Sequence, residues 1–486
     1  MGPVFFGSRK YTELPGGRIG RACRRAGALA ALVALLAAAS AAAQTWVTYP
    51  GDYRTMLLSR TGADGAAATA NATEPSLSLD GRNLAFASAA PGLGPTGGQE
   101  QVFLRTVRER CTAESCACCR SLSASSNRTI LVSLGDGVAG EPAAGAAGEP
   151  ALSGSGWKVA FTSAAPNLGG RRGLSGVYLR NVRRGTTILV SRASGPRGAA
   201  ANGASSEPSI SADGNLVAFT STATNLGGPR DGRAAVYVRD LSSNRTYLVS
   251  RWSNGRVLAA AEQPALAPGG GAVAFVSASP HSGTPAGVSQ VYERDLRGGR
   301  TFLVSRADGR NGAAANADAT RPSLDQNGSR VAFQSAASNL EPGATPHQNV
   351  YLRDVGAGRT WLVSRGFKHQ MVPGPPANSA STQPSLSRDG RFICFQSAAT
   401  NLGSGYGGEA QAGVENIFVY DTRSLGVFLI SRASGQAGAP ANGNSGEVSC
   451  SAGASLAAFS SAATNLEPGS PTGVVNVYRR TVFGGR

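Results

Sequence analysis

The sequence has few of the residues on which metal binding and much enzyme chemistry depend. Its 486 residues include only three His (His281, His347 and His369), and charged residues make up 15%, well below the roughly 25% usual in soluble domains. So few His argue against a His-based metal centre or catalytic triad. Gly and Pro, with 65 and 26 residues, together make up about a fifth of the chain. This share is below the roughly 25–30% that indicates disorder. We therefore expect a folded chain with no metal site, no cofactor and no catalytic constellation.

Long apolar runs are missing except near the N-terminus. Residues 1–43 have the order of an export signal: four Arg between positions 18 and 25, an apolar stretch at Ala26–Leu36, and three Ala before Gln44. A membrane anchor is the alternative, but the run is rich in Ala and weakly hydrophobic for a permanent span. Arg24 and Arg25 would also fit a twin-arginine signal. The prediction is an extracytoplasmic protein, periplasmic or secreted, with no membrane span after signal removal.

The net charge is strongly positive, at +17. A basic balance can indicate a nucleic-acid or anionic partner. Here the Arg recur one or two per repeat, and they form no stripe with interleaved aromatic residues. We expect no nucleic-acid partner.

Apart from Cys23, which lies in the predicted export signal, the Cys residues fall into two groups. Four lie together in an insertion at 108–126: Cys111, Cys116, Cys118 and Cys119. In an oxidising compartment these predict two disulfides that close a long loop, and a zinc knot is the alternative, although the spacing matches no standard ligand set. Cys394 and Cys450 lie in strand patterns of adjacent repeats. They are expected to be buried thiols, with a disulfide between them as the other interpretation.

Internal repeats dominate the rest of the chain. One unit occurs seven times, and its copies begin at Glu74, Glu149, Glu207, Gln263, Arg321, Gln383 and Glu447. A Phe marks the register of each copy: Phe86, Phe161, Phe219, Phe275, Phe333, Phe395 and Phe459. Each unit contains four strand-like segments, and in LVAFTS (216–221) both faces are apolar. A small sheet with two apolar faces must pack between neighbours, which predicts the radial stacking of a β-propeller.

The last copy lacks a fourth strand, and the start of the repeat region supplies one. The chain ends at Arg486 without the TxLVSR segment that closes the other copies, whereas residues 53–60 have this pattern. A stray strand is the alternative interpretation. We predict an all-β fold: a seven-bladed β-propeller of four-stranded antiparallel blades over 44–486, in which residues 53–60 complete the last blade.

The repeat resembles a known family at this point. The pattern P-S-[IL]-S-x-D-G-x-x-[VI]-A-F-x-S, then V-Y-x-R-D, then T-x-L-V-S-R, is similar to the WD40-like (PD40) repeat of TolB-type β-propellers. The resemblance covers nearly all of residues 53–486 and implies the propeller fold. In this family, TolB itself binds protein partners in the periplasm. This chain is more similar to the stand-alone exported propellers of the wider family than to TolB.

Two sets of repeated polar residues are candidates for structural or binding roles. Arg and Asp end the third strand in three copies: Arg239 with Asp240, Arg294 with Asp295, and Arg353 with Asp354. We expect ion pairs within or between blades, and a ring of Arg holding an anionic ligand is the alternative. Asn follows the second strand at Asn167, Asn225, Asn339, Asn401 and Asn465. These Asn are expected to bind a partner from the face that carries the variable loops, or else to cap the turn after that strand.

The sequence thus favours a monomeric, non-catalytic binding module for a protein or polysaccharide of the cell envelope. The alternative is a carbohydrate-active enzyme, a glycosidase or lyase, whose carboxylates meet in the propeller channel. A purely structural envelope protein is a third interpretation.

Overall fold

The computed structural model describes residues 53–62, 65–107, 127–258, 260–279, 283–368, 372–403 and 410–482. The predicted signal at 1–43, the insertion with Cys111, Cys116, Cys118 and Cys119, and also His281 and His369, lie outside these residues. The described residues form seven antiparallel four-stranded sheets and one two-stranded hairpin. The predicted all-β, seven-bladed propeller is confirmed.

Each blade follows the same order, and its strands are called a, b, c and d along the chain. Blade 1 comprises β2 (Ala72–Leu77), β3 (Asn83–Ser88), β4 (Gln101–Thr106) and β5 (Arg128–Leu131). Blade 2 comprises β6 (Ala147–Leu152), β7 (Lys158–Ser163), β8 (Gly176–Asn181) and β9 (Thr186–Leu189). Blade 3 comprises β10 (Ser205–Ile210), β11 (Leu216–Ser221), β12 (Ala235–Asp240) and β13 (Arg245–Leu248). Blade 4 comprises β14 (Ala261–Leu266), β15 (Ala272–Ser277), β16 (Gln290–Asp295) and β17 (Thr301–Leu303).

The second half of the ring carries one added element, a hairpin after blade 5. Blade 5 comprises β18 (Ala319–Leu324), β19 (Arg330–Ser335), β20 (Asn349–Asp354) and β21 (Arg359–Leu362), and the hairpin comprises β22 (Arg365–Lys368) and β23 (Val372–Pro376). Blade 6 comprises β24 (Ser381–Leu386), β25 (Phe392–Ser397), β26 (Asn416–Asp421) and β27 (Val427–Leu429). Blade 7 comprises β28 (Ser445–Cys450), β29 (Leu456–Ser461), β30 (Asn476–Thr481) and, as strand d, β1 (Thr55–Leu57).

The core lies between blades rather than within them. The Phe of each strand b is fully buried and stacks on an aromatic ring of strand c, with centroids 5.7–6.0 Å apart in all seven blades. The apolar clusters join the residues of neighbouring blades. Burying each ring stabilises the fold by about 1.5–3 kcal/mol. No blade can therefore bury its faces alone.

Strands a are innermost and line the central channel. Each strand a contacts the strands a of both neighbours around the ring. The a–b turns are held locally: Gly214 has φ of +66°, and Asp213 Oδ1 accepts hydrogen bonds from Ser211 Oγ and Asn215 N. The seven innermost strands thus form a continuous wall around the axis.

The ring is closed as predicted. Within residues 53–60, strand β1 pairs antiparallel with β30, and Thr55 lies opposite Arg480 and Leu57 opposite Tyr478. Arg480 Nη1 donates to Thr55 Oγ1 at 2.7 Å, and Leu57 N donates to the Glu467 carboxylate. The first described strand is therefore the outer strand of the last blade.

The expectation that Cys394 and Cys450 are buried free thiols is wrong, because the two form a disulfide. Their Cα atoms are 6.5 Å apart. Cys394 pairs with Ser385 across blade 6, and Ser385 Oγ accepts from Cys450 N of blade 7. Both Cys thus flank one serine at the interface of two blades, and the disulfide joins these blades covalently.

Deleting residues 44–62 should destabilise the protein severely. The deletion removes a whole strand of blade 7 and the buried side chains of Leu57 and Leu58. We expect the melting temperature in calorimetry to fall by on the order of 10 °C. Val138→Ser, at a residue that is 83% exposed, serves as the control. An unchanged melt after the deletion would contradict the closure.

Replacing both Cys394 and Cys450 by Ala should lower stability by about 2–4 kcal/mol, because the disulfide closes a long loop between blades. Urea unfolding measures the loss, and wild-type protein treated with dithiothreitol should match the double variant. Mass spectrometry of unreduced peptides is the direct check. Finding Cys394 and Cys450 in separate peptides would refute the bond.

Candidate functional site

The channel mouth on the b–c face combines a rigid wall with variable loops. The b–c and d–a connections emerge on this face, and the hairpin β22–β23 belongs to the d–a connection after blade 5. Its Val372 is 49% exposed. Variable loops on a rigid scaffold are common binding sites, so this face is the candidate functional site.

The five Asn predicted to bind a partner hold the incoming d–a segment instead of capping their own turn. Asn225 Nδ2 donates to Ala200 O at 2.9 Å, and its Oδ1 accepts from Asn202 N at 3.0 Å. The same pair of bonds is made by Asn167, Asn339, Asn401 and Asn465. These amides therefore have partners on both sides within the fold.

The repeated Arg and Asp have separate partners in place of the expected ion pair. Arg239 donates to Ala193 O and Gly195 O, both before the blade's own strand a, and to Thr246 Oγ1, at 3.0–3.1 Å. Asp240 accepts from Ser242 and Ser243 in the c–d turn. Successive strand residues point to opposite faces, which separates the two charges.

The other two pairs follow this arrangement. Arg294 and Arg353 donate to carbonyl oxygens and to a Thr of strand d, whereas Asp295 and Asp354 accept from their c–d turns. The three Arg are 2–5% exposed, and burial lowers the pKa of each guanidinium. Buried guanidinium groups bonded to carbonyls form no ring open to an anionic ligand.

A ring of polar side chains around the channel was missed in the sequence analysis. The first residue of each copy has a positive φ, between +49° and +56°: Glu74, Glu149, Glu207, Gln263, Arg321, Gln383 and Glu447. Each lies at an irregularity in the a–b register, near the end of the blade where strand b leads into strand c. The recurring Glu, Gln or Arg before Pro, or before Val in the last copy, was the available signal.

This ring joins neighbouring blades through backbone-to-side-chain hydrogen bonds. Glu149 N donates to Glu74 Oε2 at 2.6 Å, and Glu207 N donates to Glu149 Oε2 at 2.7 Å. The series continues through Gln263, Arg321, Glu447 and Glu74 at 2.8–3.0 Å. Because the side chain of Arg321 has no acceptor atom, Gln383 N donates instead to Gln334 Oε1 of strand β19 at 2.8 Å.

The ring is electrostatically one-sided. Glu447, Glu74, Glu149 and Glu207 belong to the consecutive blades 7, 1, 2 and 3 and are called the acidic arc. Glu100, just before β4, adds a fifth carboxylate beside it: Glu74 Oε2 and Glu100 Oε2 lie 3.3 and 3.7 Å from the position that a Cβ on Gly148 would take. Arg321 of blade 5 is exposed on the other side. The channel mouth therefore has an acidic and a basic side.

Crowding of these carboxylates changes their proton affinity. Burial, with the nearby charges of Glu100, Glu149 and Glu447, raises the pKa of Glu74 to about 7. Burial and the charge of Glu447 also raise the pKa of Glu100. A carboxyl group that exchanges its proton near neutral pH is suited to transfer a proton, and a cationic group bound beside it would favour its ionised form.

Outside the channel, one further carboxyl group has a strongly shifted pKa. Burial, and then the charges of Asp325 and Asp295, raise the pKa of Glu293 to about 8. Glu293 is 5% exposed, and its Oε2 has no hydrogen-bond partner. It occupies a position in strand c that carries Leu or Val in five other blades.

Within the described ranges, no group of three or more His, Cys, Asp or Glu is arranged to hold a metal ion. The same residues include no helix long and apolar enough to cross a membrane.

Comparisons with known proteins identify no family for the chain. No family model and no curated protein matches the chain. Solved structures similar to it include TolB from Acinetobacter baumannii (15% identity, 80% of this chain, TM-score 0.37), of which the chain spans only 66%. They also include the β-propeller domain of the Trilobed protease from Pyrococcus furiosus (9% identity, 85% and 96% coverage, TM-score 0.46) and an oligogalacturonate lyase in complex with manganese (11%, 89% and 98%, TM-score 0.47). Similarity this distant carries no information about activity.

Replacing Glu74 by Gln should flatten the dependence of stability on pH. The folded-state pKa of about 7 lies above the ordinary glutamate pKa of 4.5, so the folded state retains a proton that the unfolded chain loses. Wild-type stability therefore falls as pH rises from about 4.5 to 7. The Gln variant keeps the acceptor for Glu149 N and should gain melting temperature relative to wild type across this window.

Glu74→Ala is the control, because it removes the acceptor and should destabilise at every pH. Melting temperatures between pH 4 and 8.5 provide the measurement. A Gln variant that parallels the wild type at all pH values would rule out the shifted Glu74.

Proposed function

We propose that the protein is an exported, TolB-like binding module that holds a basic segment of an envelope protein at the channel mouth, without catalysis. The acidic arc is the observation that carries this proposal. The chain has a net charge of +17, yet four glutamates of consecutive blades lie together at the mouth. A negative cleft in a positive protein focuses the field on a cationic ligand and speeds its association.

The wall of the mouth is preorganised for binding. The hydrogen bonds between blades fix Glu74, Glu149 and Glu207 through one carboxylate oxygen each. Thr162 and Thr220 add a hydroxyl donor to Glu149 and Glu207 at 2.7 Å. A Lys or Arg side chain would therefore meet carboxylates that need little reorganisation, which reduces the entropic cost of binding.

An extracytoplasmic location fits this proposal. The disulfide between Cys394 and Cys450 is of the kind that persists in oxidising compartments, and residues 1–43 have the pattern of an export signal. An envelope protein is consequently the partner class that the chain would meet.

Stepwise Glu→Gln replacement at Glu447, Glu74, Glu149 and Glu207 tests the proposal. Gln keeps the backbone acceptor, as Gln263 and Gln383 do naturally, so the fold should persist while the charge is lost. A lysine-rich decapeptide, titrated by calorimetry at low salt, should bind the wild type and weaken at least tenfold in the quadruple variant. In pull-downs from native cell envelopes, the quadruple variant should lose the partner protein that the wild type captures.

Glu141→Gln, at an exposed carboxylate outside the ring, is the matched control and should leave both measurements unchanged. Equal peptide binding by the wild type and a folded quadruple variant would reject the proposal.

A carbohydrate-active enzyme is the second candidate, and Glu74 with Glu100 favours it. Two neighbouring carboxyl groups are the usual equipment of a glycosidase, in which the group with the higher pKa acts as acid and the ionised carboxylate acts as base. In this case Glu74 would donate the proton and Glu100 would activate water. Release of reducing ends from cell-envelope polysaccharides, abolished in Glu74→Gln, would support an enzyme, and absence of release by the wild type would exclude it.

A further inference from the structure

A second concave site lies on the opposite face of the ring, in the groove between blades 5 and 6. Its cavity volume is about 560 Å³, within the range of small-molecule sites. Seven charged or aromatic side chains line it: Asp325, Arg330, Asp354 and Trp361 from blade 5, and Asp389, Arg391 and Arg423 from blade 6. The groove is on the side of the a–b and c–d turns, away from the acidic arc.

Ion pairs hold the walls of this groove in place. Arg391 binds Asp421 through two bonds, Nε to Oδ1 at 2.9 Å and Nη2 to Oδ2 at 2.7 Å, and Asp421 is fully buried. Arg330 reaches from blade 5 to Gly390 O of blade 6 at 2.8 Å and lies 3.7 Å from Asp354 Oδ2. Bidentate pairs fix planar groups in one orientation, so the cavity keeps its shape before any ligand arrives.

Hydrogen-bonding groups of both kinds are still available at the groove. Arg423 is exposed, and its guanidinium has no hydrogen bond or ion pair with any described residue. Asp389 uses Oδ1 for Ser387 Oγ and Arg391 N, whereas Oδ2 has no partner among the described residues. A ligand must therefore accept from a guanidinium and donate to a carboxylate. Hydroxyl groups do both.

The charges of the lining argue against a simple ion as the ligand. The lining contains Arg330, Arg391 and Arg423 together with Asp325, Asp354 and Asp389. The carboxylates would repel an anion, and the guanidinium groups would repel a cation. For either ion, this repulsion would offset the attraction to the groups of opposite charge. A neutral polyhydroxylated molecule avoids this conflict.

Trp361 gives the groove its single large apolar surface. The residue is half-buried and packs against the apolar cluster of blades 5 and 6, which holds its ring in place. Corresponding strand-d residues in other blades include Ile130, Ile188, Tyr247, Phe302 and Phe428, and none of these lines the cavity. A rigid indole with one wet face suits the apolar C–H face of a pyranose ring.

We propose that the groove between blades 5 and 6 binds one or two pyranose units of a neutral polysaccharide. Trp361 stacks on a sugar ring, Arg423 donates to its hydroxyls, and Asp389 Oδ2 accepts from them. This site is independent of the channel mouth, so the protein would hold a polysaccharide on one face and a protein segment on the other.

Titration of the full chain with three disaccharides tests this site. Cellobiose, maltose and N,N′-diacetylchitobiose are added while tryptophan fluorescence and calorimetry are followed. At least one should bind saturably, with little change at 0.5 M NaCl, because the contacts are hydrogen bonds and stacking. Trp361→Ala and Arg423→Gln should each weaken that binding at least tenfold, and Trp361→Phe should weaken it less.

Tyr247→Ala is the matched control, because Tyr247 occupies the same strand-d position in blade 3 and is 39% exposed. It should bind and melt as the wild type does, whereas Trp361→Ala should remain folded with a lower melting temperature, because the indole packs against the cluster between blades 5 and 6. Absence of saturable binding by every disaccharide, or equal binding by a folded Trp361→Ala variant, would overturn the proposal. Displacement of the sugar by inorganic phosphate or free lysine at equal concentration would also overturn it, in favour of an ion site.

Discussion

The whole molecule depends on the fact that each small sheet is apolar on both faces. Strands such as β3, β15 and β25 are buried along their full length, and the apolar clusters extend from one blade into the next. Because every blade needs two neighbours, a stack with free ends would expose two apolar faces. Closing the ring through β1 removes both ends at once, and burial then contributes the main favourable free energy.

The same dependence explains what could be predicted from sequence. The recurrent Phe and the two-faced strand pattern predicted the number of blades, and the incomplete last copy predicted the closing strand, because both are direct consequences of burial. The roles of Arg239 and Asn225 were not predictable in this way. Their partners are carbonyl and amide groups of segments that meet only when the ring forms. The acidic arc was not predicted, because each of its glutamates, the first residue of a repeat, resembles an ordinary polar position before Pro or, at Glu447, before Val.

Hydrogen bonds from polar side chains complete the interfaces between blades, whose cores are apolar. Around the channel, Glu, Gln and Ser side chains accept backbone N–H groups from the following blade, for example Ser76 Oγ from Leu152 N and Glu74 Oε2 from Glu149 N. A buried N–H without a partner is costly, so these bonds specify how each blade is aligned with the next. The glutamates of the candidate site at the mouth therefore also stabilise the fold, because each uses one carboxylate oxygen for a hydrogen bond between blades.

The exchange at Arg321 has a consequence for how such a propeller can diversify. Glu and Gln are nearly the same shape, and both satisfy the neighbouring N–H, so charge around the axis can be added or deleted blade by blade at little structural cost. A cation in that place demands a substitute acceptor, and Gln334 of β19 supplies it. New electrostatic patterns can therefore arise by single codon changes, except where a positive residue enters, which requires a second, compensating change on the adjacent strand.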